Sequence, residues 1–121
     1  MKRNILKSLF IACLLTAGSA AGVGASTPKN PILSLPKAVQ QHFACIIWRE
    51  SRSTLARPNL KDNNGNGGAS GVFQFEPILW NRWAPSAGVH VPVWKASYYQ
   101  QSLVAVNVWR HDGFGPWRDG C

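Results

Sequence analysis

The stretch from Pro36 to Ser51, PKAVQQHFACIIWRES, constrains the fold more than any other part of the chain, because its apolar residues recur at helical spacing. Intervals of three and four residues place side chains on one side of an α-helix. The residues on this apolar face are Val39, Phe43, Ile46 and Ile47. We therefore expect a helix that packs this face into a hydrophobic core.

Glu50 continues the same face, four residues after Ile46 and three after Ile47. Apolar surroundings disfavour a charged carboxylate, so we expect them to raise the pKa of this carboxyl group. A raised pKa suits a general acid that works near neutral pH. The alternative is structural, since a glutamate in the last turn of a helix often turns to solvent or pairs with a cation, and Arg49 and Arg52 are close. The pattern alone leaves both roles open.

The first 25 residues have the layout of a secretory signal peptide. A basic start precedes an apolar run from Leu9 to Leu15, and small residues follow up to Ala25. Because the apolar run is too short to span a bilayer, we expect cleavage after Ala25, export, and no stable membrane anchor. The rest divides into a Pro-rich, loosely held leader, residues 26–35, and one compact domain, residues 36–121.

The exported part retains two cysteines, Cys45 and Cys121. An even pair in an exported chain is most simply a disulfide, and two buried thiols are the alternative. A bridge would tie the predicted first helix to the end of the chain. In the chain-entropy model, closing so long a loop contributes about 4–5 kcal/mol of stability.

The net charge of the exported part limits the classes of partner that the protein is expected to bind. Without the signal peptide, ten basic residues face five acidic ones, a formal net charge of +5. A basic exported protein is attracted to anionic surfaces such as wall polymers. The basic residues form no run and no nucleic-acid-binding signature is present, so we expect no nucleic-acid partner. The three histidines are too scattered to form a ligand set, and we expect neither a metal nor another cofactor.

The remaining segments alternate between glycine-rich loops and helices. The sequence LKDNNGNGGASG, residues 60–71, predicts turns and a long loop. Val72–Phe75 has β-propensity and predicts a short β-hairpin or extended segment. A second helix is expected from Pro77 to about Ala84, because proline is favoured in a first turn, and a third from about Trp94 to His111, ending at Gly113. The fold class predicted is mainly α (small α+β).

Six tryptophans are unusual in so small a domain. Most are expected in the core, but flat apolar rings also suit the faces of sugars, and nearby amide side chains could bind hydroxyl or acetamido groups. Trp80, Trp117 and Asn66 are the candidate substrate contacts of this kind.

Taken in order, these motifs resemble the catalytic domain of resuscitation-promoting factors, secreted bacterial wall-cleaving proteins related to lytic transglycosylases and lysozymes. The order is a cysteine, a glutamate, an Asn/Gly-rich loop, Gly-x-x-Gln-Phe, a tryptophan, a long helix, Gly-aromatic-Gly-x-Trp and a terminal cysteine. The resemblance implies a compact lysozyme-like domain with the extended segment beside a substrate groove. It also implies that the two cysteines form the family's disulfide.

By this resemblance Glu50 takes the place of the catalytic glutamate, Gln74 and Phe75 that of a Gln-Phe pair in the groove, and Glu76 that of an acidic residue. The sequence departs from the family at two points. Cys45 stands five residues before Glu50 instead of directly before it, and the loop between Glu50 and the Gly-x-x-Gln-Phe motif is longer than usual.

The activity implied is that of a secreted lytic transglycosylase, a monomeric glycosidase that cleaves the MurNAc-GlcNAc β-1,4 bond of peptidoglycan glycan strands. One glutamate suffices, because the muramic acid 6-hydroxyl can attack its own anomeric carbon while Glu50 acts first as acid and then as base. Hydrolysis by an activated water, with Glu76 as base, is the nearest alternative. A non-catalytic cationic wall-binding or antibacterial protein, or a small disulfide-bridged surface ligand, would leave Glu50 a structural role.

Overall fold

Three α-helices form most of the regular structure of the protein, which a computed structural model describes for residues 24, 26–53, 68–118 and 120–121. They are α1, Lys37–Ser51; α2, Pro77–Trp83; and α3, Tyr98–Asp112. Short 3-10 turns lie at Pro31–Ser34, Pro85–Ala87, Val93–Lys95 and Gly115–Trp117. The mainly α prediction is confirmed, as are the bounds of α1 and α2 to within one residue. The predicted signal peptide lies almost entirely outside the described residues.

The apolar face of α1 enters the core as predicted, with Phe43, Ile46 and Ile47 buried. Phe43 is the centre of an aromatic cluster, in which four rings approach it edge-on with centroids 5.1–6.5 Å away. These four rings belong to Phe73, Trp109, Phe114 and Trp117. Edge-to-face pairs add about 0.5–1.5 kcal/mol each beyond the area they bury. The cluster therefore joins α1 to the turn before α2, to α3 and to the C-terminal segment.

The third helix begins four residues later than the sequence analysis predicted. Ser97 caps it: the Ser97 hydroxyl accepts from the Gln100 backbone N–H at 3.1 Å, and the Gln100 side chain accepts from the Ser97 N–H at 2.9 Å. This capping box satisfies two backbone donors that a helix starting at Trp94 would need to satisfy otherwise. The predicted end is confirmed, with Gly113 as the C-cap at φ 64°.

A buried glutamine connects α3 to the segment before α2. Val72 donates its backbone N–H to Gln101 Oε1 at 2.8 Å, and Gln101 Nε2 donates to the Ala96 carbonyl at 3.0 Å. Gly71 leaves the room for this amide, because a Cβ at position 71 would overlap the Gln101 carboxamide. Its φ of +79° also favours glycine. Position 71 therefore requires glycine on two grounds.

The predicted β-hairpin is reduced to one pair of residues. Ser70 and Phe75 form an antiparallel bridge and exchange both backbone hydrogen bonds at 3.0 Å. The four residues between them form a tight turn whose Val72 and Phe73 side chains are buried. Within the described residues this bridge is the whole of the β-structure.

The leader is only partly loose. Its last residues form the 3-10 turn Pro31–Ser34, which packs against α1 and α3 and buries Ile32 to 5% exposure. Asn30 caps that turn by accepting from the Ile32 N–H at 3.0 Å. The packed unit thus begins before residue 36, because the Ile32 side chain is part of the hydrophobic core.

The C-terminal segment is fixed at two points. Cys45 and Cys121 form the predicted disulfide, with their Cα atoms 5.9 Å apart, which ties the last residue to α1. Trp117 donates its indole N–H to the Phe73 carbonyl at 3.1 Å. None of the helices in the described part of the chain is long and apolar enough to cross a membrane.

Candidate active site

Glu50 lies half-buried in the last full turn of α1 and lines an open groove of about 550 Å³. We call this the Glu50 groove. Its other described lining residues come from the turn before α2, from α2 itself and from the C-terminal segment: Ala69, Gln74, Phe75, Glu76, Leu79, Pro116, Trp117 and Arg118. The apolar face of α1 therefore changes from core to groove at its final member.

The end of α1 is held against the turn that forms one wall of the groove. The Ser51 hydroxyl lies 2.9 Å from the Val72 carbonyl oxygen, with the Ile47 carbonyl at 3.1 Å as a second acceptor. The helix stops at Arg52, whose left-handed backbone (φ 54°) lets its N–H donate back to the last turn. These contacts set where Glu50 stands relative to residues 70–75.

One wall is the stretch Gln74-Phe75-Glu76. The Gln74 side chain donates from Nε2 to the Gly71 carbonyl at 2.8 Å, which leaves its oxygen as an acceptor beside the groove. Phe75 lines the groove but is almost fully buried. Glu76 is exposed and stands directly before α2.

The other wall is Pro116-Trp117-Arg118. Trp117 is 9% exposed, so most of its ring belongs to the core and a narrow edge faces the groove. Arg118 is exposed and follows the 3-10 turn, with its N–H donated to the Gly115 carbonyl at 3.2 Å. The groove thus combines two carboxyl groups, one guanidinium, one amide and apolar edges among its described residues.

Two residues with a left-handed backbone line this groove. Four non-glycine residues of the described chain have positive φ: Arg52, Ser53, Gln74 and Arg118. Gln74 (φ 48°) and Arg118 (φ 42°) both line the groove. A left-handed conformation costs an ordinary residue about 1–2 kcal/mol, and such outliers cluster at functional sites.

Most of the candidate residues come together. Gln74, Phe75, Glu76 and Trp117 all line the groove with Glu50. Asn66 lies outside the described residues. Trp80 does not line this groove: it is 2% exposed, packs on Phe75 and donates its indole N–H to the Val91 carbonyl at 2.9 Å. Its ring is therefore part of the core, with its indole N–H hydrogen-bonded there.

The sequence analysis missed four lining residues, Ala69, Leu79, Pro116 and Arg118. Leu79 lies three residues after Glu76, the N-cap of α2, and this spacing could have indicated that both lie on one side of the start of the helix. No sequence pattern marks Arg118, which reaches the groove because the turn Gly115–Trp117 directs the chain there. Among the described residues, no three His, Cys, Asp or Glu side chains are grouped as a metal site would require.

Comparison with known proteins identifies no family for this chain, because no family model, no curated protein and no solved structure matches it significantly. The chemistry of the Glu50 groove therefore has to be inferred from its own geometry.

Proposed function

We propose that the protein is a peptidoglycan-cleaving lytic transglycosylase in which Glu50 is the acid and base. The observation that carries this proposal is that Glu50 lines an open groove while Phe43, Ile46 and Ile47 of the same helical face are buried. A glutamate with only a structural role would be expected to turn to bulk solvent and not into a cleft. A half-buried carboxyl in a cleft is suited to proton transfer.

The proposed reaction needs one protonatable group on the protein. Glu50 gives its proton to the glycosidic oxygen as the bond to the muramic acid anomeric carbon breaks, and the 4-hydroxyl of the next sugar leaves. The muramic acid 6-hydroxyl then attacks the anomeric carbon and returns its proton to the Glu50 carboxylate. The product is a 1,6-anhydro ring, and Glu50 is again protonated.

The groove offers contacts that suit a sugar strand. Its volume of about 550 Å³ is within the range of about 300–1,000 Å³ usual for ligand clefts. Leu79 and the Trp117 edge supply apolar surface, and the Gln74 amide supplies hydrogen-bonding capacity beside it. By this proposal the helical unit is a small lysozyme-like catalytic domain, and its signal-like N-terminus delivers it to the cell wall.

Hydrolysis is the second candidate, favoured by one observation: Glu76 lines the same groove as Glu50. An exposed carboxylate there could activate a water molecule while Glu50 protonates the leaving oxygen. In that case Glu76→Gln would abolish cleavage, whereas a transglycosylase would retain the larger part of its activity without Glu76.

The products of digestion distinguish the candidates. Purified peptidoglycan is incubated with the disulfide-bonded protein and the soluble fragments are analysed by mass spectrometry. Fragments with 1,6-anhydromuramic ends are expected. Reducing muramic ends alone would favour hydrolysis, and undigested walls that still bind the protein would favour the non-catalytic wall-binding alternative.

A further inference from the structure

We propose that Arg118 binds a carboxylate of the substrate and thereby makes the Glu50 groove select acidic glycans over neutral ones. The inference rests on the proposed function, which supplies the identity of the polymer, a peptidoglycan strand. The structural basis is that Arg118 is the one basic residue among the described residues that line the groove.

The position of Arg118 is set from both sides. On one side, Trp117 is anchored in the aromatic core and by its hydrogen bond to the Phe73 carbonyl at 3.1 Å. On the other, Cys121 is bonded to Cys45 of α1. An arginine on a backbone held this way loses less freedom on binding than one on a loose tail, which favours its use as a recognition group.

The backbone conformation at this position would suit another residue better. Arg118 has φ 42° and ψ 41°, the left-handed region in which glycine and asparagine are favoured. Its side chain is exposed, so core packing does not account for an arginine there. By this proposal the arginine is kept at this position for its contact with the ligand.

The charges of the groove indicate a role for Arg118 in binding an acidic strand. Glu50 and Glu76 line the same groove, so an acidic strand entering it would be repelled by any carboxylate that is charged. A guanidinium in the same groove would offset this repulsion and can hold a carboxylate through two parallel N–H donors. A neutral glycan, whose polar groups are hydroxyl and acetamido, has no need of such a partner.

Two parts of a peptidoglycan strand carry the required group. One is the lactyl carboxylate of muramic acid, which is free where the stem peptide has been removed. The other is a free carboxylate within the stem peptide. Both present the same chemistry to Arg118, and defined fragments separate them.

The test measures binding, so that it does not depend on turnover. The disulfide-bonded Glu50→Gln protein is titrated by calorimetry with four soluble fragments of equal sugar length. These are a peptide-free GlcNAc-MurNAc oligomer, the same oligomer with its carboxyl groups amidated, a peptide-bearing oligomer, and an oligomer of N-acetylglucosamine alone. The titrations are repeated with Arg118→Gln, Arg118→Lys and Arg110→Gln added, since Arg110 is an exposed arginine of α3 that does not line the groove.

At least one of the two acidic fragments is expected to bind about tenfold more tightly than the neutral ones, as one charge-assisted contact allows. Arg118→Gln should remove this preference, Arg118→Lys should keep part of it, and Arg110→Gln should keep all of it. Preference for the peptide-free acidic oligomer assigns the lactyl carboxylate, and preference confined to the peptide-bearing oligomer assigns the stem. Binding of both acidic oligomers no tighter than that of the amidated one, a preference that survives Arg118→Gln, or no binding of any fragment would overturn the proposal. If acidic fragments are preferred through Arg118 but the wild-type protein does not cleave walls, the proposed function is contradicted and the role of Arg118 in binding is not.

Discussion

Trp117 donates its indole N–H to the Phe73 carbonyl oxygen at 3.1 Å, a hydrogen bond between residues 44 positions apart. The bond joins the C-terminal wall of the Glu50 groove to the turn that carries Gln74. The Ser51 hydroxyl lies 2.9 Å from the carbonyl oxygen of Val72, the residue before Phe73. The same turn is therefore also joined to the end of α1. Three separate parts of the chain thus set the shape of the groove through two neighbouring carbonyl groups.

Trp117→Phe should therefore impair both stability and cleavage. Loss of the indole N–H leaves the buried Phe73 carbonyl without this donor, which costs about 1–3 kcal/mol. The matched control is Trp80→Phe, which loses a comparable bond to the Val91 carbonyl but does not line the groove. Denaturant unfolding should show similar losses of stability, whereas the rate of wall lysis per folded molecule should fall only for Trp117→Phe. Equal lysis by the two variants would contradict the assignment of Trp117 to the groove.

Helical periodicity predicted α1, its buried face and the anomalous position of Glu50, because a 15-residue helix imposes one regular geometry on its side chains. The start of α3 was misplaced because the Ser97-x-x-Gln100 capping box outweighed the apolar residues before it. Trp80 and Trp117 could not be told apart from sequence. Which of two tryptophans keeps an edge in a groove depends on contacts with residues distant in the chain, here Val91 and Phe73.

Gly71→Ala should destabilise the protein far more than Gly88→Ala. Both glycines have similar positive φ, +79° and +74°, so both alanines meet a left-handed strain of about 1–2 kcal/mol. Only at position 71 does the added Cβ overlap the Gln101 carboxamide, whereas nothing lies within 4 Å at position 88. Relief of that overlap costs about a further 1–3 kcal/mol. The difference between the urea unfolding midpoints of Gly71→Ala and Gly88→Ala measures the cost of the overlap with Gln101. Equal midpoints would show that the Gln101 side chain moves away without cost.

Gln74→Gly should separate stability from function. Glycine removes the strain of φ 48° but adds unfolded-state entropy and loses the hydrogen bond to the Gly71 carbonyl, so the free energy of unfolding should change by less than about 2 kcal/mol. Cleavage should nevertheless fall, because the Gln74 amide that lines the groove is gone. Ser53→Gly is the control, since Ser53 has a similar φ of 62° and does not line the Glu50 groove. Full lysis by Gln74→Gly would show that the amide has no part in substrate binding.

The central claim is that the Glu50 carboxyl group transfers the proton, and Glu50→Gln tests it most directly because glutamine keeps the shape and removes the titratable group. The measurement is the clearance of a suspension of purified peptidoglycan by the wild type and by Glu50→Gln, with pelleting of bound protein recorded on the same walls. We predict that clearance by the variant falls at least about a hundredfold, as expected for loss of a general acid, while wall binding and the unfolding midpoint stay close to wild type. Clearance at the wild-type rate by Glu50→Gln would contradict the account.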